Sequence, residues 1–252
     1  MKKQKKKKLK SFVLPKYYES KIISEVKNIR TSNEKRTDYS PTKLTIGKLN
    51  FYIPKYFGFC FGVKNAIEIC YKTLEENPDK NIYLISEVIH NPDVNDDLKE
   101  KGIIFLQKSS GETIVPWKNI DKNDIVIIPA FGTTKENMEI INKKGIKTKS
   151  YDTTCPFVTK VWNRGNYLAE KNYTIIIHGK PEHEETKATF SNFSSKIPRI
   201  IIKNIQEAKL LSKYILDEKK KDFKKIFKGR ISENFNLKKD FKKIGVVNQT
   251  TM

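Results

Sequence analysis

Cys60 and Cys155 sit in two similar segments, FGFCFGVKNAI and YDTTCPFVTKVW, in which an apparently extended stretch gives way to a helical apolar pattern. At a helix N-terminus a cysteine faces unpaired N–H groups and the positive end of the helix dipole, and both favour its thiolate. Two such thiolates suit a soft metal or an iron-sulfur centre. Gly58 and Gly62 let the backbone around Cys60 turn tightly and approach something bulky, and Val63, Ala66, Ile67 and Cys70 follow at helical spacing. Around Cys155, Thr153 or Thr154 can cap the helix, and Pro156 suits its first position. The third cysteine, Cys70, lies about 15 Å from Cys60 along a helix rising 1.5 Å per residue, on the face expected to be buried. It reads as a small core residue.

The remaining polar candidates also follow apolar strand patterns. His90-Asn91-Pro92 comes after the pattern around Ile85, Phe131-Gly132-Thr133-Thr134 after IVIIPA, and His178 ends TIIIH. His183, Glu184 and Glu185 come shortly afterwards, and Gln249, Thr250 and Thr251 follow IGVVN. Open parallel sheets bind ligands beyond the carboxyl ends of their strands, so these positions are expected to share one cleft with the two cysteines.

The elements that must position them alternate. Strands are expected at Lys48–Pro54, Asn81–Ser86, Asp124–Pro129, Tyr173–His178, Arg199–Lys203 and Ile244–Asn248. Helices are expected at Gly62–Glu75, Asn91–Lys101, Thr134–Lys144, Val158–Lys171 and Ile205–Ile215. This order predicts an α/β fold of parallel sheets with crossover helices. Residues 1–43 form a basic lead-in expected to lack fixed structure. A first α/β lobe with Cys60 is expected over 44–148 and a second with Cys155 over 149–252. A basic stretch near 217–240 has poor periodicity and reads as a surface insertion.

Composition limits the function classes. The formal net charge is +21, but residues 1–40 hold thirteen Lys/Arg against four Asp/Glu, and residues 205–243 hold thirteen against six. Only five arginines occur, so the charge reads as lysine-rich tails rather than a nucleic-acid surface. No apolar run reaches the roughly 18 residues of a membrane span, and the charged start lacks the apolar core of a secretory signal. Three unevenly spaced cysteines are no disulfide framework, and a reducing, bacterial cytoplasmic compartment is expected. Two other classes remain conceivable. A zinc module would use Cys60, Cys155, His178 and His183, and a basic RNA-associated protein would need its lysines on one face.

FGFCFGVKNAI, EVIHNPDVNDDL, IPAFGTT, DTTCPFVTKVWN, IIHGKPEHEETKAT and VVNQTTM occur in an order that resembles the 4-hydroxy-3-methylbut-2-enyl diphosphate reductases, in particular their cyanobacterial and plant-type branch. The resemblance covers roughly residues 45–252. It implies a trefoil-type fold of small parallel-sheet lobes, each donating one cysteine to a central [4Fe-4S] cluster with one iron left free of protein ligands. It also implies reductive dehydroxylation of an allylic diphosphate to isopentenyl and dimethylallyl diphosphate, the last step of the methylerythritol phosphate pathway. The same resemblance implies electrons from a donor such as ferredoxin or flavodoxin. By the same resemblance Cys60 and Cys155 are cluster ligands, and His90 and His183 bind the diphosphate. Glu185 delivers protons, with Glu184 the alternative if the loop shifts by one position. Thr250 lies beside the substrate hydroxyl, and Thr251 joins the substrate-binding set.

This sequence departs from the family pattern twice. Phe131 stands where the better-known bacterial branch has another phosphate-contacting histidine, so His178, Lys180 or Lys187 is expected to replace that contact. The third lobe, with its cysteine and a Ser-x-Asn segment, is absent from these 252 residues. The expectation is a C-terminally truncated chain, inactive alone, with a labile cluster and exposed apolar surface.

Overall fold

The structure, a computed structural model, describes residues 40–54, 57–216, 222–233 and 235–251, together with 21, 22, 24, 25 and 28. Most of the lead-in therefore lies outside the described residues. Its boundary moves, however, because strand β1 (Thr42–Ile46) begins within it. β1 pairs antiparallel with β2 (Leu49–Ile53) across a turn at Gly47, whose φ is +60°. The expected strand at Lys48–Pro54 thus belongs to a hairpin and not to a parallel sheet. A two-residue turn returns the chain directly alongside itself, whereas a parallel neighbour requires a long crossover.

Two three-stranded parallel sheets follow, each with its first strand at the centre. The first has the order β4 (Ile103–Phe105), β3 (Ile82–Leu84), β5 (Ile125–Ile127). The second has the order β7 (Arg199–Ile202), β6 (Thr174–His178), β8 (Ile244–Asn248). Helices connect and cover both sheets, in the α/β arrangement that the alternating pattern predicts.

Local chemistry explains where the helices begin. Helix α1 (Phe61–Glu76) starts after Cys60 and buries Ala66, Ile67, Cys70 and Tyr71 against the first sheet. Helix α2 (Pro92–Glu100) is capped by Asn91, whose side chain accepts from the Val94 N–H, with proline in its first turn. Helix α3 (Lys135–Lys143) is capped by Thr134. Helix α4 (Pro156–Glu170) starts directly after Cys155. Neither threonine expected to cap α4 does so: the Thr153 hydroxyl donates to Ile128 O and the Thr154 hydroxyl to Asp152. Helix α5 (Glu184–Asn192) is capped by His183, and α6 (Ile205–Leu216) follows β7.

The stretch near 217–240 is more than a surface insertion, although its residues 217–221 and 234 lie outside the described set. Short helices α7 (Phe223–Ile226) and α8 (Leu237–Asp240) place Phe223, Phe227 and Phe235 in one buried cluster with Tyr214 and Ile200. Aromatic burial of this kind stabilises a segment without regular amphipathic spacing.

Candidate functional site

The site is built around the first turn of α5, where His183, Glu184 and Glu185 point to three different partners. His183 caps the helix through Nδ1, which accepts from the Glu185 N–H at 3.1 Å. In the neutral ring the hydrogen is therefore on Nε2, which lies 2.7 Å from His90 Nε2. His90 then carries its own hydrogen on Nδ1 and donates to Glu87 Oε2 at 3.0 Å. One ring hydrogen serves the contact between the two imidazoles, and a second proton there would set N–H against N–H. His183 is pushed down to about 4 by burial first and then by His90 and Lys180.

Phe131 completes this group. Its ring stacks on His90 with centroids 4.3 Å apart and meets His183 edge-on at 5.4 Å. The histidines expected from sequence are thus brought together beside the phenylalanine that departs from the family pattern. Of the residues considered to stand in for the missing imidazole, Lys187 directs its ammonium to Ser110 O at 2.9 Å. His178 accepts through its backbone carbonyl from Gln249 N–H at 2.8 Å. The charge of Lys180 is the one felt at His183.

Glu185 is fully buried. The Thr250 N–H donates to its Oε1, and the Thr251 hydroxyl donates to Oε2 at 3.0 Å. Gln249 braces the same strand end: its Oε1 accepts from the Lys180 N–H and the Thr186 hydroxyl, both at 3.0 Å. Thr250 joins Glu185 through its backbone, and its exposed side chain is left facing solvent. Glu184 turns the other way, to Ser86. The Ser86 hydroxyl donates to Glu184 Oε2, and burial pushes this carboxyl up to about 7. Ser86 gave no distinguishing signal in the sequence, and Glu87 entered only as the first residue of the EVIHNPDVNDDL segment; the strand-end position shared with His90 could have singled both out.

The two cysteine-bearing segments also meet. Cys60 and Cys155 are the N-cap residues of α1 and α4, and neither side chain makes a capping hydrogen bond. A Cβ added to Gly62 would lie 2.6 Å from Cys155 Sγ, so that thiol rests against the first turn of the helix that Cys60 begins. The Cys155 N–H donates to Ala130 O at 2.9 Å, next to the Phe131 that stacks on His90. Helix α4 in turn packs on α5 through Trp162, whose indole N–H donates to Thr189 at 3.0 Å. Two free thiols at helix N-termini fit the thiolate ligation of an iron-sulfur cluster. Among the described residues no group of three or more His, Cys, Asp or Glu side chains is placed to hold a metal ion. The zinc arrangement would draw on His183, whose ring nitrogens here face His90 and the α5 helix cap. Cys70 is fully buried and its thiol is pushed up to about 12, which keeps it protonated.

A protein-family model described as LytB protein matches residues 52–252. The 4-hydroxy-3-methylbut-2-enyl diphosphate reductase of Picosynechococcus sp. is 39% identical over 236 residues, which are 93% of this chain and 54% of that protein. The Prochlorococcus marinus subsp. pastoris protein of the same name is 38% identical over 93% of this chain and 55% of its own length. The chain spans about half the length of the curated relatives it matches. Among solved structures, (E)-4-hydroxy-3-methyl-but-2-enyl diphosphate reductase is similar with a TM-score of 0.53 and 25% identity, over 76% of this chain and 64% of that one. The Plasmodium falciparum E-1-hydroxy-2-methyl-but-2-enyl-4-diphosphate reductase is similar with a TM-score of 0.57 and 28% identity, over 79% and 50%.

Proposed function

Because the chain belongs to the LytB protein family, we propose that it serves the reductive dehydroxylation of 4-hydroxy-3-methylbut-2-enyl diphosphate to isopentenyl and dimethylallyl diphosphate, the final step of the methylerythritol phosphate pathway. The observation that carries this reading is the convergence on one helix turn of a histidine pair and a buried carboxyl gripped by Thr250 and Thr251. The proposed division is a first lobe over 44–148 and a second over 149–252. No helix among the described residues is long and apolar enough to cross a membrane, and a cytoplasmic location is proposed.

A bound diphosphate would take the place of the contact between the His90 and His183 rings, freeing the His183 Nε2 hydrogen to donate to it, and the Lys180 charge beside His183 adds attraction. Glu185 holds or delivers a proton at its Oε atoms, and its grip by the β8 end fixes their direction. The Thr250 hydroxyl is left available for the substrate hydroxyl. Cys60 and Cys155 would be two ligands of a [4Fe-4S] cluster. Bound, that cluster would supply reducing equivalents, drawn from a donor such as ferredoxin or flavodoxin, and Lewis acidity toward the leaving hydroxyl. Both thiols sit at helix N-termini, where the dipole and the unpaired N–H groups favour the thiolate form such ligation needs.

Calorimetric titration with the allylic diphosphate tests the binding half. His90→Ala and His183→Ala should each weaken binding by roughly 10- to 100-fold, the worth of a hydrogen bond to a charged group. Unchanged affinity in both variants removes the pair from the site. Iron and sulfide reconstitution tests the other half: Cys60→Ser and Cys155→Ser should each lower the iron bound per chain, and unchanged iron content in both variants would overturn their role as ligands.

A further inference from the structure

Of the three consecutive side chains on the first turn of α5, the proposed reaction uses His183 and Glu185. Glu184 is left over, yet it is buried. The Ser86 hydroxyl donates to its Oε2, and Oε1 is buried with no hydrogen-bond partner. The groups facing it are Glu87 from the loop after β3, Lys187 one turn further along α5, and the hydroxyls of Ser86 and Ser109. Ser109 lies close enough to favour the anion but closes no hydrogen bond to Oε1. The Lys187 ammonium is engaged by Ser110 O. An anionic Glu184 would thus place charge on an oxygen without a donor, next to a second carboxylate, whereas a neutral acid would not.

Glu184 also closes a circuit of contacts. It holds Ser86; the next residue, Glu87, accepts from His90; His90 meets His183; and His183 precedes Glu184 in the chain. We infer that Glu184 is a positioning residue. As a neutral carboxylic acid it fastens the loop carrying Glu87 and His90 to the helix carrying His183, and so sets the spacing of the histidine pair for an anionic diphosphate. The ligand in this statement rests on the function proposed above; the clamp itself rests on the contacts. When pH rises past Glu184's titration near 7, a second anion faces Glu87 and the clamp loosens.

The chain has three histidines, so their ring-proton NMR signals can be followed individually in the full 252-residue chain. Wild type, Glu184→Gln, Glu184→Ala and Ser86→Ala are titrated from about pH 4 to 9, a span that brackets the ordinary histidine range. In wild type His183 should titrate at about 4, and its signal should show a second inflection near 7 as Glu184 ionises. Glu184→Gln should keep the low His183 titration and lose the second inflection. Glu184→Ala and Ser86→Ala should each move His183 up by roughly one pH unit or more, toward its ordinary range, with His178 unaffected. Should Glu184→Ala fail to fold, Ser86→Ala carries the same test. The inference is overturned if His183 titrates alike in wild type and the folded clamp variants, if Glu184→Gln behaves like Glu184→Ala, or if the inflection near 7 survives in Glu184→Gln. Inorganic diphosphate added at about pH 6, below the Glu184 titration, should shift both paired histidines, and Glu184→Ala should weaken that response roughly tenfold, the effect of one hydrogen bond to a charged ligand. A wild type that ignores diphosphate retires the diphosphate reading alone, and the titrations still decide the clamp.

Discussion

The two parallel sheets share one strand order but use their outer strands differently. β5 is buried on both faces, and Ile128 beyond it bridges to Asp152, giving the first sheet a further neighbour at its outer edge. β8 alternates: Gly245 and Val247 turn inward, with Gly245 lying close to Leu168 of α4, while Ile244 and Val246 are 38% and 58% exposed. β5 therefore reads as a continuous apolar run, and β8 as an edge strand with one covered face. Identical topology does not imply equal burial, and the less protected strand is the one whose end grips Glu185.

Four measurements break or sharpen this comparison. Ile127→Ala, at a fully buried position of β5, should cost about 2–5 kcal/mol in chemical denaturation; a smaller loss would mean that β5 is no better packed than β8. The junction between the sheets should respond to pH. The folded-state titration of Glu184 is raised from 4.5 to about 7, so its contribution to stability is complete below the lower value and falls as pH rises to the upper one. That contribution is on the order of 3 kcal/mol. His183, lowered from 6.5 to about 4, acts oppositely: its contribution rises with pH between those values. The stability difference between wild type and Glu184→Gln should therefore shrink or reverse from acid to neutral pH. A flat difference would show a junction insensitive to Glu184.

Gly165→Ala should cost about 1–3 kcal/mol, because its Cβ would lie 2.3 Å from the fully buried Phe193 ring. Thermal melting that leaves the midpoint unchanged would mean that α4 can shift over α5. Val246→Thr, on the open face of β8, should change stability by less than about 0.5 kcal/mol. A loss comparable to that of Ile127→Ala would reveal a covered face.

Much of the framework was legible because strong β-branched runs such as IVIIPA and TIIIH mark β5 and β6 regardless of context. β4 was not: three residues between a helix end and a loop carry too little pattern to separate from their surroundings. Helix α5 was missed as well, since EETKATFSN has weak amphipathic spacing and is defined by the His183 cap and by contacts with α4. The candidate site divides in the same way. The histidines and glutamates could be nominated from type and position. The meeting of His90 with His183 spans 93 residues of chain and is a product of tertiary packing. The partition of Glu184 to Ser86 and Glu185 to Thr250 depends on the rotation of one helix turn, which no local spacing specifies.

Gly62 gives the cysteine pair a tolerance about one methyl group wide. With hydrogen at that position the first turn of α1 can lie against the Cys155 thiol; with carbon it cannot. Helix α1 would still form around alanine, which is the better helix former. The effect of substitution would be a misfit between two intact helices, felt at the thiols. Position 62 thus works as a spacing gauge, and what it contributes is an empty volume rather than a functional group.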